Sequence, residues 1–318
     1  MNESDHDMEE SFRGNAEYLE KLFFRALSQR PFDTLCTVLR VGGMTDSNWD
    51  AMEESIRAFE DCNWLVEKAS ERSEECALRL NLLMYCQAIE MTSAHEILMN
   101  LLRCCTGEPY VIEPFFHLRR VKKNDFMRYV PPSAKAKITE IKKTAQSIKE
   151  TKLIEIIDGF FNDGIRNAFS HSDYIIEKGN LRWTEGGPAH QMKKEELDKV
   201  ILACFAFYGA LLQSNKKWFK LLAHTPRFHK WQRYEVLEIL RNQEDGVYGF
   251  NVHFSNGNKA TYQRTKDGTK AVNLSFDKEG TINFFVGSLD ELEKVWKVNG
   301  REITDWSSLE KEENTRVD

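Results

Sequence analysis

The sequence predicts an α+β protein, in which a mainly α-helical bundle is followed by a small antiparallel β-meander domain with a short helix. Apolar residues recur at three- and four-residue spacing through most of residues 9–225, which is the period of a helix with one buried face. After Thr225-Pro226 apolar and polar residues alternate, which is the period of a strand. With 318 residues, the chain is also long enough for two domains.

The N-terminal third is expected to be helical. Helices are predicted at Glu9–Arg30 and Ser47–Ala69, and a longer helical stretch runs over Glu71–Cys105. Within that stretch, Ser93-Ala94-His95-Glu96 has the S-x-x-E spacing of a capping box, which indicates that a new helix begins there. Gly107-Glu108-Pro109 ends the stretch, since glycine and then proline commonly follow a helix C-terminus.

The middle of the chain is also predicted to be helical. Further helices are expected at Ser133–Glu150 and, as one continuous helix, at Thr151–Ser170. The segment Gly179–His190 is predicted to be a linker loop, with a short extended piece at Leu181–Trp183. The last long helix is predicted at Met192–Ala223.

Four strands are predicted in the C-terminal part. The first is half-buried, because Tyr248, Phe250, Val252 and Phe254 alternate with polar residues. Asn256-Gly257 is a favoured two-residue hairpin turn. The remaining strands are predicted at Ala260–Arg264, Ala271–Phe276 and Thr281–Val286, followed by a short helix at Ser288–Trp296.

These boundaries divide the chain into four parts. Residues 1–70 form an N-terminal helical extension and residues 71–225 a helical bundle. Residues 226–309 form the small antiparallel β domain, and residues 310–318 form a polar tail.

The composition excludes several classes of protein. Seven cysteines are present without any C-x-x-C pair, and no Cys and His residues lie at zinc-binding spacing. We therefore expect free thiols, no bound metal and no cofactor. No apolar run approaches the roughly 20 residues that span a bilayer, and the acidic start MNESDHDMEE is unlike a signal peptide. A cytoplasmic location without membrane contact is expected.

Basic residues are concentrated in one stretch of a chain whose net charge is −6. Residues 117–153 contain eleven Lys or Arg and only three Asp or Glu. Such a stretch can steer a polyanion to one face of a protein, although it is equally typical of a solvated helix surface. The candidate RNA-contacting residues in this stretch are Arg119, Arg120, Lys122, Lys123, Lys142 and Lys143.

The segment Arg166-Asn167-Ala168-Phe169-Ser170-His171 carries the most chemically useful side chains. On a helix, Arg166, Asn167 and His171 fall on its polar half. Arginine stabilises phosphate-like anions, and histidine exchanges protons near neutral pH. One anion lying across this face can touch all three side chains. The plainer interpretation is a wet helix surface with local ion pairs.

The spacing Arg166-Asn167-x-x-x-His171 resembles the R-x4–6-H motif of the HEPN superfamily, and the resemblance covers about residues 71–225. Many HEPN proteins are metal-independent RNases of toxin–antitoxin, phage-defence and RNA-processing systems, with the site formed between two copies of the motif in a homodimer. The resemblance implies that a ribose 2′-hydroxyl attacks its neighbouring phosphorus. His171 would then act as general base or acid, Arg166 would stabilise the phosphoryl charge, and Asn167 would orient a phosphate or the partner imidazole.

One departure from the family pattern concerns regulation. Some HEPN toxins carry a modified tyrosine two residues after the histidine, whereas here Tyr174 lies three residues after His171. Two alternatives to the RNase stay open. One is a catalytically inactive helical interaction or scaffold protein, in which Arg166 and His171 make structural hydrogen bonds. The other is a nucleotide-sensing module. If the protein is an RNase, the C-terminal β domain is expected to be an accessory module that recognises a protein partner or part of the target.

Overall fold

The protein is an α+β protein that is mostly helical, with antiparallel strands towards its C-terminal end. The computed structural model describes residues 3–41, 51–121, 129–184, 187–229, 236–253, 259–265, 268–276 and 282–284. The chain forms two compact units. The first contains residues 1–40 and 50–219, and the second contains residues 41–49 and 220–318.

The first unit is built around one central helix, α5, against which α1, α2, α3 and α6 pack. The helices are α1 (Glu3–Gln29), α2 (Pro31–Leu39), α3 (Ala51–Ser70), α4 (Glu74–Glu90), α5 (Thr92–Cys105), α6 (Ala134–Ser147), α7 (Thr151–Phe160), α8 (Asp163–His171) and α9 (Lys194–Ala223), with a 3-10 turn at Phe116–Leu118. The predicted helical nature of this part is confirmed. Helices from both sides of residue 70 belong to this one unit.

The predicted helix break near residue 93 is confirmed, but the predicted capping box is wrong. Helix α5 begins at Thr92 and its N-cap residue is Met91, whose side chain makes no capping hydrogen bond. Met91 has extended backbone angles and its side chain is buried. The break therefore lies at a buried apolar residue without a side-chain cap, and Ser93 lies inside the helix.

The single helix predicted over Thr151–Ser170 is wrong, because α7 ends at Phe160 and α8 begins at Asp163. Asn162 has an extended backbone, and its side-chain oxygen accepts a hydrogen bond from the Ile165 N–H at 3.0 Å. Tyr85 of α4 holds the junction on its other side. Its hydroxyl donates to the Phe160 carbonyl at 2.8 Å and accepts from the Asn162 N–H at 3.0 Å.

Short antiparallel strands lie between the helices of the first unit. Strands β1 (Arg120–Val121) and β2 (Tyr129–Val130) form a pair. Strands β3 (Tyr174–Glu177), β4 (Asn180–Thr184) and β5 (Ala189–Met192) form a sheet in the order β3-β4-β5. The loop predicted at Gly179–His190 is therefore wrong, although its extended piece belongs to β4. Lys178 and Gly179 both have positive φ, 51° and 80°, which suits a tight two-residue hairpin turn.

The second unit contains an antiparallel sheet, as the period-two pattern predicts. Its strands are β6 (Phe228–His229), β7 (Val236–Asn242), β8 (Gly246–His253), β9 (Lys259–Thr265) and β10 (Gly268–Val272), in the order β10-β9-β8-β7-β6. A separate pair is formed by β11 (Leu274–Phe276) and β12 (Ile282–Phe284). The strand predicted at Ala271–Phe276 is divided at Asn273, which has a φ of 56°.

Strand β8 is buried on both faces, so the prediction of a half-buried strand is wrong. Phe250 and Val252 are buried on one face, and Asn251 is buried on the other. Asn251 is satisfied there because it donates to Glu238 and accepts from Thr261. The predicted turn at 256–257, the helix at 288–296 and the tail at 310–318 lie outside the described residues.

Helix α9 is long and apolar enough, by length and composition, to cross a membrane, and it is the one such helix in the described ranges. Half of its most apolar window is buried inside the protein. Core helices of soluble proteins have the same composition. The apolar stretch 200–212 is followed by Gln213, Ser214, Asn215 and two lysines, which is why the sequence shows no continuous run of membrane-spanning length.

Candidate active site

Helix α8 carries the three motif residues outside its buried face, and Arg166 contacts α4 through its side chain. It packs against α4 and β4 through its buried residues Gly164, Ile165 and Ala168. Arg166 and Asn167 are half-buried, and His171 is exposed at the last position of the helix. The helix thus brings the three predicted residues together on one short element.

Arg166 is held by two carboxylates. Its Nη1 lies 2.8 Å from Oε1 of Glu90 in α4, and its Nη2 lies 2.8 Å from Oδ1 of Asp163. The second oxygen of Asp163 lies 3.0 Å from Nζ of Lys135 in α6. The four side chains form a network of two cations and two anions. The Nε of Arg166 is buried and has no hydrogen-bond partner among the described residues.

The network stabilises the charged form of each buried member. Burial alone would raise the pKa of Asp163, but hydrogen bonds from Arg166 and Lys135 outweigh it and hold the pKa below its ordinary value. Burial alone would lower the pKa of Arg166, but Asp163 and Glu90 raise it above its ordinary value. Both groups stay ionised over the whole physiological range of pH.

His171 and Asn167 are free within the described part of the chain. Neither side chain makes a hydrogen bond or an ion pair with another described residue. Arg166 is bonded to carboxylates and not to His171. The arrangement is therefore mixed: the guanidinium is fixed inside the protein, and the imidazole is open to solvent.

The described cations of the basic stretch are mostly paired within the chain. Arg119 lies 2.7 Å from Glu113 and its guanidinium lies over the Phe116 ring. Lys142 pairs with Asp158, and Lys143 lies 3.6 Å from Glu140. Arg120 begins β1 and is exposed. Lys122 and Lys123 lie outside the described residues.

Only part of this network is predictable from the sequence. Asp163 and Arg166 are three residues apart, a spacing that predicts a helical ion pair. Lys135 belongs to the basic stretch, but the sequence gives no reason to select it. Glu90 is 76 residues from Arg166 in the sequence, so no local pattern identifies it.

Two buried polar residues, Lys137 and His95, lie near the ion-pair network of Arg166, since Lys137 interacts electrostatically with Glu90. Lys137 is buried and its Nζ donates to Thr92 Oγ1 at 2.6 Å. His95 is buried, and its Nε2 lies 3.0 Å from the Tyr208 hydroxyl. Burial and the nearby Lys137 lower the pKa of His95 to about 3. His95 is therefore a neutral core residue at physiological pH.

No group of three or more His, Cys, Asp or Glu side chains suited to a metal ion occurs within the described ranges. Comparisons of this chain with family models, with curated proteins and with solved structures find no match. The geometry of α8 and its neighbours is therefore the basis for assigning a function.

Proposed function

We propose that the protein is a HEPN-like, metal-independent endoribonuclease of the cytoplasm, active as a homodimer in a toxin, phage-defence or RNA-processing role. The observation that carries this proposal is the contrast on α8 between a fixed guanidinium and a free, exposed imidazole. A fixed guanidinium stabilises charge that develops on a phosphoryl group. A free imidazole can reach a substrate and exchange protons with it.

In the proposed reaction, the 2′-oxygen of a ribose attacks the adjacent phosphorus. His171 accepts the 2′-hydroxyl proton, and the bond from phosphorus to the 5′-oxygen breaks. The departing 5′-oxygen receives a proton from the imidazolium of a second copy of the chain. Arg166 stabilises the negative charge on the phosphoryl oxygens, and Asn167 orients the phosphate. The products are a 2′,3′-cyclic phosphate and a 5′-hydroxyl.

The test is RNA cleavage in the presence of EDTA. We expect His171→Ala and Arg166→Ala to lower the rate at least about 100-fold, which is the usual size of an acid–base or charge-stabilising contribution. His224→Ala is the matched control, because His224 is another exposed histidine, and it should leave the rate unchanged. Equal rates for wild type and His171→Ala, or 3′-hydroxyl product ends, would reject the proposal.

A second candidate is a catalytically inactive interaction protein, and the pairing of Arg166 with Glu90 and Asp163 favours it. A guanidinium with two carboxylates stabilises the contact between α8 and α4 without any ligand. In that case Arg166→Ala should lower thermal stability, while no RNA is cleaved by wild type under any condition. Loss of cleavage without loss of folding in this variant favours the RNase.

A further inference from the structure

Glu90 occupies an electrostatically unfavourable position. It is the last residue of α4, and no basic residue lies in the last turn of that helix. The C-terminal end of a helix carries partial negative charge, so a carboxylate there is repelled. The Glu90 side chain is 48% exposed. The ion pair with Arg166 therefore holds the Glu90 carboxylate at a helix end that disfavours negative charge. Water can reach this ion pair, because the Glu90 side chain is exposed.

Asp163, the other carboxylate on Arg166, is bound differently. Its side chain is 15% exposed, and its two oxygens accept from two different cations, Arg166 and Lys135. Breaking this arrangement would leave a largely buried carboxylate with fewer partners, which is costly. Of the two carboxylates, Glu90 is the one that an arriving anion can displace.

Lys137 offers a second place for the Glu90 carboxylate. The Lys137 ammonium is buried and donates to Thr92, which lies two residues after Glu90, so it sits beside the α4–α5 junction. It makes no ion pair with a carboxylate in the described part of the chain. Glu96 and Glu90 both interact with it electrostatically. An ammonium has three donors, and Thr92 uses one of them.

We infer that Glu90 is an exchangeable carboxylate, which binds Nη1 of Arg166 in the free protein and moves to Lys137 when an RNA phosphodiester takes its place. The inference rests on the proposed function in taking RNA as the anion. In the exchange, the RNA phosphodiester replaces the Glu90 carboxylate on Arg166. Lys137 then has Glu90 as a second partner besides Thr92. The cost of freeing Arg166 is thereby offset within the protein.

The first experiment measures binding of a 2′-O-methyl RNA oligonucleotide, which has no 2′-hydroxyl and cannot be cleaved by the proposed reaction. Fluorescence anisotropy compares wild type with Glu90→Gln. The matched control is Glu75→Gln, since Glu75 lies on the same helix, is 46% exposed and pairs with Arg79 at 3.4 Å. We expect about fivefold tighter binding for Glu90→Gln, the equivalent of losing one competing ion pair, and less than about twofold for Glu75→Gln.

The second experiment tests the role of Lys137 with a double-mutant cycle. Lys137→Met should weaken binding about fivefold when Glu90 is present, because the displaced carboxylate then has no second partner. The same substitution should have no effect in the Glu90→Gln background. Lys137→Gln, which keeps a polar group beside Thr92, replaces Lys137→Met if that variant does not fold. Equal losses in both backgrounds would show that Lys137 does not act through Glu90 and would overturn the inference.

Other outcomes are equally decisive. The exchange would be overturned if Glu90→Gln and Glu75→Gln bound the oligonucleotide with equal affinity, or if Glu90→Gln bound it more weakly than wild type. It would also be overturned if neither wild type nor Glu90→Gln bound the oligonucleotide. Cleavage of unmodified RNA is measured in parallel. Tighter binding by Glu90→Gln without any cleavage by wild type supports the exchange and rejects the nuclease. Cleavage by wild type, with the same RNA affinity for Glu90→Gln as for Glu75→Gln, supports the nuclease and rejects the exchange.

Discussion

At the scale of single residues, the charge of Arg166 is neutralised before any ligand arrives. Glu90 and Asp163 each lie 2.8 Å from one of its terminal nitrogens. A cation that is paired within the protein attracts a distant polyanion only weakly, but its side chain is already ordered. Prior ordering removes part of the entropy cost of binding. Arg166 therefore contributes more to orienting a bound anion than to attracting a distant one.

Two neighbouring residues of α5 should contribute to the pH dependence of stability with opposite signs. Burial and Lys137 lower the pKa of His95 from 6.5 to about 3, so unfolding takes up a proton in that range and stability rises with pH. Burial, only partly offset by Lys137, raises the pKa of Glu96 from 4.5 to about 7. Unfolding then releases a proton in that range, and stability falls as pH rises.

Substituting one of these two residues should reveal the contribution of the other to the pH dependence of the free energy of unfolding. Between about pH 4.5 and 6.5, Glu96→Gln should make the free energy of unfolding rise more steeply with pH than in wild type, by up to about 1.4 kcal/mol per pH unit. His95→Gln should make it rise less steeply by a similar amount. Urea unfolding at a series of pH values measures both slopes. Parallel curves for the three proteins would contradict the prediction.

At the scale of elements, the break between α7 and α8 shows what the sequence can predict. The apolar period continues through Thr151–Ser170, so periodicity alone predicts one helix. Asn162 is a residue type that commonly caps helices, and this local signal was available. The hydroxyl of Tyr85 is 75 residues away from Phe160. Such long-range hydrogen bonds depend on the folded packing and could not be predicted.

Tyr85→Phe should destabilise the protein. It leaves the Asn162 N–H and the Phe160 carbonyl at the junction without their partner, at a cost of about 1–3 kcal/mol in the free energy of unfolding. The control is Tyr174→Phe. Its hydroxyl bonds to no other described residue, and its ring stacking on Phe169 is kept. We expect a change within about 0.5 kcal/mol there. Similar losses for both variants in urea unfolding would refute this role of Tyr85.

Strand β8 depends on a glycine for its approach to β9. A Cβ at Gly249 would lie 2.1 Å from the Tyr262 carbonyl oxygen, which is far inside van der Waals contact. Gly249→Ala should therefore lower the free energy of unfolding by about 1–3 kcal/mol or more, the usual cost of overpacking. Gly159→Ala in α7 is the opposite control, since nothing lies within 4 Å of its added Cβ. It should stabilise the protein by about 0.5–1 kcal/mol. Thermal unfolding distinguishes the two signs.

At the scale of the whole molecule, the sequence predicts the fold class because that class depends on local periods. Helical spacing before residue 225 and alternation after it are both found in the structure. Strand β7 was missed because Leu237, Ile239 and Leu240 are all buried, which removes the alternation. Sheet order and the pairing of Arg166 with Glu90 join distant parts of the chain, and no local pattern specifies them.

The charge distribution predicts how the proposed RNA binding responds to salt. Three of the six candidate RNA-contacting cations are neutralised within the chain, because Arg119, Lys142 and Lys143 each pair with a carboxylate. For single-stranded nucleic acid, the logarithm of the binding constant falls with the logarithm of salt concentration by about 0.7 per phosphate neutralised. We expect a slope near −2 for 2′-O-methyl RNA between about 50 and 200 mM KCl, which corresponds to about three neutralised phosphates, since three of the six candidate cations are already paired.

Engagement of all six candidate cations would instead give a slope near −4, by the same estimate of about 0.7 per phosphate. The double variant Lys142→Gln/Asp158→Asn separates the two cases, because it removes one ion pair without changing the net charge. If Lys142 stays paired with Asp158 in the complex, affinity and slope are unchanged. A steep slope that becomes shallower in this variant would show that RNA takes Lys142 from Asp158. The basic stretch, and not α8 alone, would then form the binding surface.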